Sequence, residues 1–346
     1  MKQLVFLWGL ILFLLSSCSR NEPSGEAVIR TVTTVSQKRE YQYFVVDRDV
    51  RLGNYFQFLD RIVARYDSLL RYPFSEHFLV RANPWLIDTL AATDYYRLMS
   101  MGKFIYDPKS IIILHKGDSL LIPDSLMVDS LRFRMATAVI DINIPEFRLR
   151  IRELDSIMFE FPVRVGRNER KFLAMAGHRV DLRTRLGTGT IVRVNRAPLF
   201  INPADNHPYQ ETRRDDGKVT KLPNIPWLEP ELDGQRYGQL IHPTTNPQTL
   251  GRAYSNGCIG TGEAAAWYIY YHAPAGTKVI IRYKLHVPDA HGDSLRLKDI
   301  YPGFEKVSPS LAPPVTAYLF PPHRMLSGCS ETCLSVWGEE LKEFLN

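Results

Sequence analysis

The chain predicts a mainly β domain, a sandwich or barrel with one or two helices, over residues 136–285, preceded by a small helical or α+β domain over 41–135. Three observations predict it. From Ala136 onward, short β-like runs recur between Gly, Pro and Asn, the spacing of an all-β domain. Only Glu263 to His272 there reads as a good helix. Before Ala136 the apolar residues fall instead at helical intervals, as in Leu52, Phe56, Leu59, Ile62, Val63 and Tyr66.

In chain order, Met1-Lys2 opens a short charged stretch, and Leu4 to Leu15 is almost wholly apolar. That run is short for a membrane span and has the length of a signal-peptide core. Leu15-Ser16-Ser17-Cys18 resembles a bacterial lipoprotein box, which implies cleavage before Cys18 and lipidation of its thiol. The implied location is an exported, membrane-anchored lipoprotein facing the periplasm or cell wall. An ordinary signal peptide with an incidental Cys is the alternative. Residues 19–40 are polar and unpatterned, and read as a tether.

After the 50–70 helix, Asn83-Pro84 begins another with Trp85, Leu86 and Leu90. Ile111 to Leu114 reads as a strand. Gly117 to Pro123 resembles the end of a LysM-like segment; the competing reading is a small helical domain closed by a turn at Gly117-Asp118. In the β domain, Ile140, Ile142 and Ile144 alternate with polar residues, as a strand with one wet face would. Ile191 to Val194 and Lys278 to Tyr283 are further strands. The helix has Thr261 as its expected N-cap and stops before Pro274 and Gly276. Its stripe of Trp267, Tyr270 and Tyr271 is packing. Residues 203–236 read as a long polar, Pro-rich connection, functional or disordered. Residues 286–346 read as an irregular Pro-rich extension ending in a short helix.

The 346 residues carry 45% hydrophobic and 23% charged side chains, ordinary for a globular protein. The net charge of +6 is spread without a basic run, which excludes nucleic acid as the indicated partner. A monomer is expected. No Cys/His spacing suits structural zinc, and no cofactor is called for. Of four cysteines, Cys329 and Cys333 form a leftover pair, suggesting a local disulfide if the segment turns.

The fourth, Cys258, carries the chemistry. It sits in Ser255-Asn256-Gly257-Cys258, and His242 lies sixteen residues upstream. A thiol needs a base to become a thiolate near neutral pH, and His242 is the obvious one. Its expected distance from the sulfur is about 3–4 Å. His207 and His178 are the fallback bases. Gly257 lets the backbone turn sharply, so that N–H groups near Asn256, Gly257 and Cys258 converge on a developing oxyanion. Ser255 braces the loop or the His. Tyr237 and Tyr254 shape the pocket.

This run resembles the Ser-His-Gly-Cys loop of the YkuD-type L,D-transpeptidases. The resemblance extends over Val139 to Leu149, Phe161 to Gly166, Thr184 to Ile191, Ala197 to Phe200 and Gly276 to Val279, in the family's order. It implies a YkuD-like catalytic domain that cross-links peptidoglycan stem peptides through a Cys258 thioester, without metal or cofactor. An L,D-carboxypeptidase or endopeptidase on the same site and a degenerate cell-wall-binding lipoprotein are the alternatives. The chain departs from the pattern at Asn256, Pro243 and Gly260. Where the family has Arg two residues after the Cys, this chain has Gly260. Arg252 is the first expected substitute for that cation and Arg282 the second.

Overall fold

A computed structural model describes residues 41–289 and 291–304. The expected signal peptide, tether, lipidated Cys18, the Cys329/Cys333 pair and the terminal helix all lie outside the described residues. The described residues belong to one compact unit.

Among the described residues there are six α-helices: α1 Tyr55–Asp67, α2 Glu76–Ala82, α3 Trp85–Ala91, α4 Tyr95–Ser100, α5 Ser125–Ala136 and α6 Glu263–His272. The side chains of Ser75, Asp94 and Asp124 accept backbone N–H bonds at the starts of α2, α4 and α5. Two short antiparallel pairs, Gln42–Val45 with Ser119–Ile122 and Val50–Arg51 with Ile112–Leu114, stitch this helical region together. Gly117, at φ +97°, makes the turn between their second strands.

An eight-stranded sheet dominates the remainder. Its strands are β1 Val139–Asn143, β2 Arg148–Glu153, β3 Ser156–Pro162, β4 Gly187–Asn195, β5 Trp227–Leu232, β6 Ile241–Pro243, β7 Ile259–Thr261 and β8 Lys278–Arg282. They lie in the order β7-β6-β5-β4-β8-β1-β2-β3. β6 and β7 are parallel, as are β8 and β1; the other neighbours are antiparallel. The chain leaving β3 crosses to the far edge. There Arg164 N donates to Gly260 O at 2.8 Å and Gly260 N to Arg164 O at 3.0 Å. The two sheet edges are thereby joined, and unpaired edge groups are satisfied.

α6 explains why the helical region and the sheet act together. Its Trp267, Tyr270 and Tyr271 belong to the core built by α1, α2, α3 and α5, while Ile269 and Ala273 belong to the sheet core. The Tyr271 hydroxyl donates to Tyr55 Oη at 3.1 Å. The aromatic stripe is core packing, as its sequence suggests. The helix starts one residue after Gly262, which holds the N-cap place expected for Thr261. Thr261 lies in β7, completely buried.

Three local expectations need correction. β1 has no wet face: Asp141 and Asn143 are as buried as the isoleucines. A buried carboxylate demands a partner, and Asp141 accepts from Arg282 Nε at 2.6 Å and Nη2 at 2.9 Å. Residues 203–236 are not a plain connection. They contain the hairpin Glu211–Arg213/Val219–Lys221 and all of β5. Arg214, which reads as a loop charge, is 2% exposed; it ion-pairs with Glu263 and lies 4.4 Å over the Tyr95 ring. Finally, 286–304 is partly ordered: His286–Pro288 pairs with Ser294–Arg296, and Tyr301 is fully buried in the sheet core.

Glu153 at the end of β2 ties the two regions electrostatically. It accepts from Arg81 of α2, Arg134 of α5 and Nδ1 of His272 in α6. Its side chain is 1% exposed, so removing it strands the buried Arg81 cation. Glu153→Ala is expected to cost about 3–5 kcal/mol in urea unfolding, because one partner of a buried pair is lost. A change under about 1 kcal/mol, the scale of an exposed pair, would contradict this account.

Candidate active site

The site forms where β6 and β7 run parallel. The register pairs His242 with Gly260, and Cys258 immediately precedes β7. His242 and Cys258 therefore approach diagonally across adjacent strands. Both are half-buried.

The loop before the thiol is held from several sides. Gly257 has φ +114°, a conformation that other residues rarely adopt. Ser255, 7% exposed, donates from Oγ to Cys258 O at 2.6 Å and accepts from Gly257 N at 3.2 Å. Ser255 thus braces the loop and makes no bond to the histidine. Thr184 Oγ1 donates to Gly257 O at 3.0 Å and accepts from Gly166 N at 2.8 Å. Asn256 Oδ1 accepts from Arg167 Nη2 at 2.6 Å. The Gly257 N–H is therefore spent on Ser255, whereas the Asn256 and Cys258 N–H groups have no hydrogen bond among the described residues. Those two remain as donors for a developing oxyanion.

The imidazole is fixed from its other side. His242 Nδ1 lies 2.8 Å from Pro243 O. A carbonyl only accepts, so Nδ1 carries the proton and Nε2 keeps its lone pair. The ring packs against Trp227 with centroids 5.3 Å apart, and Trp227 packs against Phe200. The expected His242–Cys258 hydrogen bond is absent from the resting structure. The ring is turned toward Pro243, and the sulfur has the Leu240 backbone N–H directed at it.

Electrostatics agree with an uncharged pair. Burial holds the Cys258 thiol above its usual range, opposed by the Leu240 N–H and by Arg164. Burial, reinforced by the Arg164 charge, lowers His242 to about 4, against the pull of the Pro243 carbonyl. At neutral pH the proton rests on sulfur and Nε2 is free to receive it.

The remaining sequence candidates are peripheral. Tyr254 and Tyr237 are exposed, stacked under Arg167 and Arg185 with guanidinium carbons 5.9 and 5.6 Å from the ring centroids. Arg252 is exposed on the loop. Arg282 is committed to Asp141. Neither supplies the cation expected beside Gly260; Arg164 does, because the edge pairing places it there. His207 is exposed near Asp205, and His178 is exposed with Nδ1 against Ala176 O. Arg164, Thr184 and Trp227 are the neighbours that sequence reasoning missed. Tyr301 is a fourth, since its hydroxyl donates to Gly166 O and accepts from Thr184 N at 3.4 Å.

Known proteins resemble this region. Residues 137–281 match the model of the YkuD family, the L,D-transpeptidase catalytic domain. A Bacillus licheniformis protein provisionally named L,D-transpeptidase YkuD is 28% identical over 165 residues, which is 48% of this chain and 74% of the relative. Among solved structures, an L,D-transpeptidase from Mycobacterium smegmatis aligns at 14% identity and TM-score 0.29, over 42% of this chain and 58% of that one. The L,D-transpeptidase from Xylanimonas cellulosilytica (residues 123–326) aligns at 16% identity and TM-score 0.31, over 56% of this chain and 92% of that one. The chain thus spans 58% of the length of the Mycobacterium smegmatis chain it matches.

A protonated resting thiol has a direct test. Alkylation of Cys258 by iodoacetamide should rise with a pH midpoint above the ordinary thiol value of about 8.5. A midpoint near 6 would reveal a preformed thiolate–imidazolium pair and contradict the electrostatics described above.

Proposed function

We propose that this protein is a cysteine-dependent L,D-transpeptidase acting on peptidoglycan stem peptides. The observation that carries the proposal is the β6–β7 register, which sets a thiol beside a histidine of fixed tautomer and two unspent backbone donors. The YkuD family match over the same residues supports the substrate class.

The mechanism follows from these groups. On substrate entry the His242 ring takes the thiol proton at Nε2 while sulfur attacks the carbonyl of the diamino-acid residue of a tetrapeptide stem. The carbonyl π electrons move to oxygen, which the Asn256 and Cys258 N–H groups receive. As the intermediate collapses, the C–N bond breaks and His242 returns the proton to the leaving amine of the terminal D-residue. The Cys258 thioester is then attacked by the side-chain amine of a second stem. His242 takes the amine proton and gives it back to sulfur as the C–S bond breaks. Resolution by water instead would give a carboxypeptidase. The protein is placed, on the same proposal, at a membrane through lipidated Cys18, outside the cytoplasm.

Full-length protein incubated with disaccharide-tetrapeptide and followed by mass spectrometry should yield cross-linked dimer. Shortened monomer would make it a hydrolase, and unchanged substrate would remove the enzymatic reading. Cys258→Ala should abolish turnover, and His242→Ala should lower it about 10²–10⁴-fold, the usual contribution of a positioned proton carrier. Because only neutral His242 accepts the proton, kcat/KM should fall as pH drops through about 4, the lowered histidine value, and stay level near 6.5. An acid limb at 6.5 would show an unperturbed imidazole. In a lipoprotein-processing host, Cys18→Ala should move the protein out of the membrane fraction; retention would refute the anchor.

A further inference from the structure

The chemistry above makes no direct use of Arg164, yet this side chain differs from the fully buried guanidinium groups among the described residues. Arg81, Arg214 and Arg282 are each buried against a carboxylate: Glu153, Glu263 and Asp141. Arg164 is half-buried, and no carboxylate pairs with it among the described residues. Its Nη1 donates to Thr249 Oγ1 at 3.3 Å, its Nε is buried without a partner, and its Nη2 has no hydrogen bond there either. A partly desolvated cation with unspent donors and no paired carboxylate is costly to hold, and an arriving anion relieves that cost.

Its position is built by the backbone. Val163 and Val165 on either side are fully buried, and the main chain of Arg164 is bonded both ways to Gly260. The side chain then lies across the face of Gly260. A Cβ added at Gly260 would stand 2.5 Å from Nε, 2.7 Å from Cγ and 3.0 Å from Cδ, so position 260 must be bare for the arginine to lie there. The charge acts on both reacting groups, drawing the Cys258 thiol down and His242 down. The same charge acts on Tyr209, and Asp215 is the carboxylate whose charge acts on Arg164, without pairing with it.

We infer that Arg164 is the carboxylate-binding residue of the acyl-donor site. Its Nη2, which has no hydrogen bond among the described residues, grips the terminal carboxylate of the donor stem next to the scissile bond in a charge-assisted hydrogen bond. The inference rests on the proposed function and adds to it the feature of the donor that is read. Gly260 is its structural counterpart, since any side chain there expels the guanidinium.

The test compares a tetrapeptide donor ending in a free carboxylate with the same donor ending in a carboxamide. Binding to the full chain carrying Cys258→Ser is measured by calorimetry, and turnover is measured on the protein with Cys258 intact. The Cys258→Ser protein should bind the carboxylate form at least tenfold more tightly. Arg164→Gln should erase that preference by weakening the carboxylate form alone, and Arg164→Lys should keep part of it. Gly260→Ala, which leaves the arginine in the chain but displaces it, should reproduce Arg164→Gln. A preference that survives Arg164→Gln, or an equal loss for both peptides, overturns the inference. Preference without turnover would sink the proposed reaction and leave the carboxylate site standing. Turnover of both peptides without preference would do the reverse. Binding of neither peptide overturns both.

Discussion

The pair of backbone hydrogen bonds between Arg164 and Gly260 is the constraint on which the catalytic region depends. Two such bonds contribute only about 1–3 kcal/mol together. Their leverage is topological. They join the edge reached through β3 to the edge formed by β7, which lie at opposite ends of the sheet order. The energy that holds them comes from the flanking Val163 and Val165, both fully buried, and from Ile259 across the seam. Once the seam is closed, the loop ahead of β7 has one place to go. Thr184, Ser255 and Arg167 then need only local bonds to fix it.

The helical region is a structural support for that sheet. α6 faces both cores, and its ends are anchored by charge. Glu263 at its start meets Arg214, and His272 at its end meets Glu153, which also holds Arg81 and Arg134. Each anchor is buried, so each is costly to break and insensitive to salt. The first turn of α6 follows directly from β7, so one continuous piece of chain joins the helical core to the strand after Cys258. The boundary near residue 136 divides helix-rich from strand-rich sequence but does not divide the packing.

What was legible in the sequence is what is local. Ser255, Gly257 and Cys258 act within one tight loop, and His242 sits one strand away, so spacing suffices to group them. Residues 263–272 declare a helix through their composition and through the breakers that follow. Arg164 was illegible as a site residue because its approach to Gly260 is a strand pairing across a long stretch of chain, and periodicity carries no register. Arg252 looked better placed because it is close in sequence, yet its side chain is exposed. Asp141 and Asn143 read as solvent-facing because their partners, Arg282 and Lys284, lie on and just beyond a strand from the far end of the domain. Arg214 and Tyr301 were hidden in polar and Pro-rich stretches for the same reason: burial of a single residue in an irregular segment leaves no periodic mark.

Keeping the proton on Cys258 also governs the protein's vulnerability to oxidants. Peroxide and disulfides react with thiolates, and they do so in proportion to the ionised fraction. A cysteine that sits ionised in an oxidising compartment is steadily lost to sulfenic acid or to mixed disulfides. Burial of Cys258, only partly offset by Arg164 and the Leu240 N–H, lowers that fraction below that of an ordinary surface thiol. Cys258 is thus stored as a thiol, its less oxidisable form.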